Sequence, residues 1–163
     1  LTVVSPDSTG FAPDGSADVA LTFRNVHNWM SAGFADKVFA DAFRALKPGG
    51  VLGVVEHRLP SARDQDPRAG NGYVAESYVV QTAERAGFVL EETSNINNNP
   101  NDKADQPVWM LPPNLSAPEA GSPLAEGYDR AKYEAIGESD RMTLRFRKPV
   151  AAPVAPAPTP PAQ

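Results

Sequence analysis

Apolar and polar positions along the chain follow one another in blocks that predict strands and helices in turn. A short apolar run at residues 19–23, with β-branched and aromatic members, predicts a strand at residues 18–23 that is covered on both faces, as in a parallel sheet. Residues 33–46 place apolar side chains at helical spacing on one face and charged ones on the other. The same reasoning predicts, in chain order, a strand end (1–5), a strand (51–56), a helix (72–86), a strand (88–93), a short helix (128–136) and a strand (142–147).

The order strand, helix, strand, helix, strand predicts parallel strands joined by helical crossovers, and thus an α/β fold. The last strand follows a connection with little helix, so we expect it to run antiparallel to the others. Lys-Pro-Gly-Gly at residues 47–50 predicts the end of the first long helix, with glycine as its left-handed cap. Gly87 is expected to cap the second long helix. Residues 95–113 form a long polar segment, which in a compact domain is functional or disordered.

Composition limits the classes of function that the chain can have. We expect one domain at residues 1–148 and a disordered tail rich in proline and alanine at residues 149–163. The absence of cysteine excludes disulfides and thiolate sites. The net charge of −5 gives no electrostatic footprint for nucleic acid. No apolar run approaches the roughly 18 residues that a membrane span needs.

Polar side chains follow the first predicted strand directly. The sequence Arg-Asn-Val-His-Asn-Trp at residues 24–29 predicts a polar, aromatic turn. Ligands of open α/β sheets bind beyond the carboxyl ends of the strands. We therefore expect one rim of a ligand site here.

An ordered series of short motifs resembles a known family. Pro-Asp-Gly-Ser-Ala-Asp (13–18) and Leu-Lys-Pro-Gly-Gly-Val-Leu (46–52) resemble the second half of a class I S-adenosylmethionine-dependent methyltransferase. Leu-Thr-Phe-Arg-Asn-Val-His-Asn-Trp (21–29) resembles the signature of a bacterial subfamily of predicted methyltransferases. Matching motifs continue at residues 56–58, 72–74, 86–88, 99–102, 109–113 and 138–144.

The resemblance implies a Rossmann-like methyltransferase sheet that is mostly parallel with an antiparallel final strand. It also implies S-adenosylmethionine as cofactor and methyl transfer to an unidentified small-molecule acceptor. Asp7 aligns with the region that contacts adenine, although a plain turn aspartate is an equal interpretation. Arg24 and Asn25 fall where the methionyl end of the cofactor lies, and Arg24 can pair with its carboxylate.

Candidate catalytic residues come from the ends of two strands that should be neighbours. His27 follows the first, and Glu56 and His57 end the second. A histidine here can act as a general base, or it can be a structural residue of the rim. Two histidines and a carboxylate can also bind a metal ion. Because their spacing in sequence is non-local, we predict no metal.

Candidate substrate residues are mostly aromatic. Trp29, Tyr73 and Trp109 can form an aromatic wall or complete the packing near strand ends, and Arg58 extends the polar cluster. The oxygen-rich segment that contains Asp102 lacks the spacing of a calcium loop.

One departure from the family pattern shapes the remaining expectations. No glycine-rich turn after a first strand is found, because Gly49-Gly50 precedes a strand and Gly70-Asn71-Gly72 lies in a loop. We therefore expect the chain to be the C-terminal portion of a larger domain, and inactive alone. The strand at residues 18–23 would then be an exposed apolar edge, which favours marginal stability or self-association.

Two alternatives to the enzyme follow from the same residues. The chain can be a non-catalytic α/β binding or interaction domain with a Pro-Ala tether, which residues encoded upstream of Leu1 would reveal. A dehydrogenase half shares the strand–helix rhythm but not the motif series. The compartment stays open: cytoplasmic, or periplasmic if a signal peptide preceded Leu1.

Overall fold

A computed structural model of the chain describes residues 4–150. A five-stranded sheet carries two main helices, which pack against each other. None of the helices in this range is long and apolar enough to cross a membrane. The elements in chain order are β1 (Ala17–Phe23), α1 (Val26–Ser31), α2 (Ala35–Ala45), β2 (Leu46–Leu59), β3 (Val74–Ala75), α3 (Glu76–Ala86), β4 (Val89–Ser94), a 3₁₀ turn (Val108–Met110), α4 (Arg130–Ile136) and β5 (Arg141–Arg147).

The sheet has the order β1-β2-β5-β4, and the short β3 pairs with the end of β2. β1 and β2 are parallel, with Phe23 opposite Val55. β5 runs antiparallel to both β2 and β4, and Glu56 lies opposite Met142. The predicted α/β class and the antiparallel final strand are therefore confirmed.

The core lies between the sheet and the helices α2 and α3. Phe39 of α2 and Val79 of α3 are buried there together with Leu144 and Phe146 of β5. β5 alternates buried and partly exposed side chains, which confirms the half-exposed strand predicted from its sequence. Gly87 caps α3 with a φ of 105°, as predicted.

The Lys-Pro-Gly-Gly motif does not cap α2, and this prediction is wrong. Leu46, the residue after the helix, already has an extended backbone with ψ of 142°. The motif lies inside β2, where the pairing with β1 shifts register between Ala17 and Val19. Gly49, with a φ of 80°, accommodates this irregularity within the strand.

The polar turn predicted after β1 is instead the short helix α1. No side chain of its own N-terminal residues caps it. The carboxylate of Glu56, on β2, accepts the first free backbone N–H at Val26 with a distance of 2.5 Å. The helix therefore begins because of a residue from another strand.

β1 is an edge of the sheet within residues 4–150. Val19, Leu21 and Phe23 are 53%, 62% and 60% exposed. The expectation that this strand is covered on both faces is therefore wrong for the described residues, and the expectation of an exposed apolar edge is confirmed. The strand end predicted at residues 1–5 and the tail at 149–163 lie mostly outside the described residues.

Candidate functional site

The carboxyl ends of β1 and β2 bring the predicted catalytic residues together. The backbone N–H of Arg24 donates to the carbonyl oxygen of Val55 at 2.7 Å, which continues the parallel pairing past the end of β1. This register places α1, which carries His27, beside Glu56 and His57 at the end of β2. The adjacency expected from parallel strands is therefore present.

Glu56 is the buried centre of this cluster. Its side chain is fully buried, and Oε2 accepts the backbone N–H groups of Val26 at 2.5 Å and His27 at 3.4 Å. Oε1 accepts the N–H of His57 and lies 2.9 Å from Nδ1 of His27. Because a carboxylate only accepts hydrogen bonds, we assign a hydrogen to Nδ1 of His27. In the tautomer that carries only this ring hydrogen, the lone pair is on Nε2.

His57 lies beside Glu56 and His27 and is more buried from solvent than His27. Burial lowers its pKa to about 4, although the negative charge of Glu56 opposes the shift. His27, Arg24 and Arg141 lower the pKa further. Its Nδ1 is 2.5 Å from the hydroxyl oxygen of the buried Ser139. The ring is therefore neutral at pH 7.

Both imidazoles line one cavity of about 340 Å³. Their ring centroids are 5.4 Å apart. The opposite side of this cavity comes from the long polar segment and the 3₁₀ turn within it. The remaining lining residues are Phe23, Arg24, Asn28, Val108, Trp109, Leu111, Pro112, Pro113 and Asn114.

The cluster also has the composition of a metal site. One possible ligand atom each from His27, Glu56 and His57 lies within 4.8 Å of the others. No metal was expected because His27 is far from Glu56 and His57 in the sequence, but the fold brings the three close together in space.

The three predicted cofactor residues occupy different places. Arg24 is exposed, has a φ of 53°, lines the cavity and makes no side-chain hydrogen bond or ion pair within residues 4–150. Asn25 is exposed, and its Oδ1 accepts from Nδ2 of Asn28 at 3.0 Å. Asp7 is exposed in a turn that precedes β1, and it is absent from the residues that line this cavity.

The structure does not assemble the aromatic wall. Trp109 lines the cavity and is 37% exposed. Trp29 packs edge-on against Phe39 at 6.4 Å, and so belongs to the core side of α1. Tyr73 is fully buried, and its hydroxyl donates to the carboxylate of Asp102 at 2.8 Å. Both Trp29 and Tyr73 thus have the packing role that was the alternative interpretation.

Arg58 lies outside the histidine cavity. Its guanidinium holds the two carboxylate oxygens of Asp140 at 2.9 and 3.1 Å and also pairs with Glu76. It lines a separate cavity of about 930 Å³ on the other side of the β2 end. Its charge is therefore already matched by carboxylates, and it connects β2 to the segment before β5.

Sequence reasoning missed Ser139, which contacts His57. The signal was available, because an antiparallel final strand begins where β2 ends. His57 lies opposite Arg141, so the residues just before β5 reach the same site.

Comparisons with known proteins bear on the fold. No protein-family model and no curated protein sequence matches the chain. Among solved structures it is similar to the [4+2]-cyclase SpnF, with a TM-score of 0.57, 21% identity, and coverage of 92% of this chain and 56% of that one.

Two further similar structures are those of proteins described as methyltransferases. One is a proposed methyltransferase in complex with the Haloferax volcanii activator Trm112, with a TM-score of 0.50, 12% identity, and coverage of 86% and 57%. The other is a proposed sarcosine dimethylglycine methyltransferase from Galdieria sulphuraria, with a TM-score of 0.50, 16% identity, and coverage of 85% and 55%. The chain thus spans little more than half the length of these proteins, and it shares their Rossmann-like α/β fold.

Proposed function

We propose that the chain is the C-terminal portion of a class I methyltransferase that methylates a small molecule using S-adenosylmethionine. The observation that carries this is the buried Glu56 carboxylate, which orients His27 toward a cavity at the carboxyl ends of β1 and β2. A volume of about 340 Å³ is in the range of small-molecule sites, roughly 300–1,000 Å³.

The chain's residues fit one end of the cofactor. Arg24 offers an exposed guanidinium with no partner among the described residues, which suits the carboxylate of the methionyl end. Asn25 and Asp7 are our further candidates for cofactor contacts. No glycine-rich turn follows a strand in this sequence, so the adenosine end needs residues outside it.

Acid–base chemistry is assigned to the histidine cluster. When bound, S-adenosylmethionine supplies an electrophilic methyl group. The Nε2 atom of His27 accepts the proton that the acceptor's heteroatom loses as it gains the methyl group, and S-adenosylhomocysteine is the second product. Glu56 fixes the tautomer and the direction of His27, and His57 supplies a polar contact to the acceptor. Trp109 lines the acceptor side of the cavity, whereas Arg58 lines the separate cavity and is given no role in binding the acceptor.

Calorimetric titration with S-adenosylmethionine tests the assignment. We expect binding by a protein extended through the reading frame upstream of Leu1, and almost none by the 163-residue chain. In the extended protein, Arg24→Gln should weaken binding roughly ten- to hundredfold, which is the worth of a charged hydrogen bond. Arg68→Gln, a surface change away from the cavity, serves as the matched control. Equal affinity of both lengths would refute the proposed division of the cofactor site.

A non-catalytic binding domain is the second candidate. Its supporting observation is that no glycine-rich turn follows a strand in this sequence, so the chain lacks that means of holding the cofactor. An extended protein that binds S-adenosylmethionine yet releases no S-adenosylhomocysteine with any acceptor of a broad panel would favour it.

A further inference from the structure

We propose that His27 and His57 form a binding site for a divalent transition-metal ion, Zn²⁺ first among them, through their Nε2 atoms. One possible ligand atom from each of these histidines and from Glu56 lies within 4.8 Å of the others, which makes them the one such group of three or more histidine, cysteine or acidic residues among residues 4–150. Imidazole nitrogens are among the ligands that Zn²⁺ prefers.

Both rings are held in the way that metal-binding histidines usually are. Such histidines donate their other ring N–H to a carboxylate or another oxygen, which fixes the tautomer and the ring direction. Nδ1 of His27 lies 2.9 Å from Oε1 of Glu56, and Nδ1 of His57 lies 2.5 Å from the hydroxyl oxygen of Ser139. Because both Nδ1 atoms are engaged, Nε2 is the nitrogen that each ring has left for an ion.

Glu56 contributes by accepting a hydrogen bond from His27 and is not itself a ligand of the ion. Its two oxygens already face four N–H donors, three of the backbone and one of His27, and its side chain is fully buried. It therefore increases the electron density of the His27 ring instead of binding the ion directly. The chain then supplies two ligands, and the other positions face a cavity that water or a small molecule can enter.

This inference does not rest on the proposed methyl transfer. An ion on Nε2 of His27 occupies the lone pair that would accept the proton. A chain with the ion bound therefore cannot use His27 as a general base. If the methyltransferase assignment is correct, Zn²⁺ is expected to inhibit the reaction by occupying the base.

The sequence makes the test unusually clean, because the chain has only two histidines and no cysteine. The 163-residue chain, without a polyhistidine tag, is labelled with ¹⁵N and titrated with ZnCl₂ while the imidazole nitrogens are followed by NMR. We expect both Nε2 resonances to shift together and to saturate at one ion per chain, with the hydrogen of each ring on Nδ1 in the bound state.

Calorimetry with Zn²⁺ then measures the contribution of each residue. His27→Ala and His57→Ala should each weaken binding at least tenfold, and Glu56→Gln about ten- to hundredfold, as is found for residues behind metal ligands. Glu84→Gln, an exposed change on α3, is the matched control and should bind as the unchanged chain does.

Two results would overturn the proposal. Imidazole resonances that stay unmoved until the protein precipitates would exclude the site, and so would heat of binding that persists in the variant lacking both histidines. The NMR result comes from the unchanged chain, so it does not depend on how well the variants fold. Saturable Zn²⁺ binding without any methyl transfer by the extended protein would count against the proposed function alone.

Discussion

Replacing Glu56 with glutamine should destabilise the chain less than replacing it with alanine, and it should change which nitrogen of His27 carries the hydrogen. The glutamine amide can be placed in two orientations, and in the more favourable one its nitrogen lies where Oε1 lies in the unchanged chain. It then donates to Nδ1 of His27, and the hydrogen of that ring moves to Nε2. The amide oxygen lies at the position of Oε2 and still accepts the N–H of Val26. Only the backbone N–H of His57 therefore loses its acceptor.

The magnitude follows from that count. One buried donor left without an acceptor costs about 1–3 kcal/mol. Glu56→Ala instead removes the acceptor of three backbone N–H groups, those of Val26, His27 and His57, which costs roughly 3–9 kcal/mol at the same cost per donor. A loss of that size approaches the whole stability of a small domain, roughly 5–15 kcal/mol.

Urea unfolding of the two variants checks the energies, and ¹⁵N NMR of the His27 ring checks the tautomer. Far-ultraviolet circular dichroism and the fluorescence of Trp29 and Trp109 report the unfolding. Equal destabilisation by Glu56→Gln and Glu56→Ala would refute the hydrogen-bond account. An unchanged His27 tautomer in Glu56→Gln would refute the assignment of its Nδ1 hydrogen to Glu56.

Three further predictions concern other parts of the fold. Gly87→Ala should destabilise the chain by about 1–3 kcal/mol, because it adds a Cβ that meets the Phe43 ring at 2.9 Å at a residue with positive φ. In the same urea assay Gly121→Ala should cost less, since its φ is also positive but nothing lies within 4 Å. Leu21→Lys should reduce self-association through the β1 edge, because it places a charge on an exposed apolar position. Equal association of the variant and the unchanged chain in sedimentation velocity would contradict this. Burial raises the pKa of Asp140, but hydrogen bonds from Arg58 and from a backbone N–H outweigh it, so the pKa lies below its ordinary 3.8. The stability that this ion pair contributes is present above pH 3.8 and is lost as the pH falls through the lower value of the folded chain. Asp140→Asn should therefore flatten the acid side of a stability–pH curve, and an unchanged curve would argue against the pair.

The strands and long helices could be predicted because their apolar patterns are local. β5 alternates buried and partly exposed residues, and α2 keeps its apolar residues on one face, so a short window of sequence contains the signal. The parallel pairing of β1 with β2 followed from the helix between them. These rules also placed His27 near His57.

Contacts between distant residues explain what the sequence could not predict. α1 begins at Val26 because Glu56, 30 positions later, accepts its N–H. Leu46 is extended because β2 already pairs with β1 at that residue, so the glycines that follow have no helix to cap. The antiparallel β5 indicates which region reaches His57, but not that the contact there is made by Ser139, which is 82 positions away.

The buried hydrogen bond between Tyr73 and Asp102 divides the long polar segment into two parts. Gln106 donates to the same Tyr73 hydroxyl at 3.2 Å, so the first part is fastened to the protein at a fixed point. The residues after it, from Val108 to Asn114, reach the histidine cavity. Trp109, Pro113 and Asn114 are exposed and line the cavity, so exchanges there can reshape it while the buried Met110 and Leu111 stay in place. These three positions are therefore the natural ones for grafting a new ligand preference onto the same scaffold.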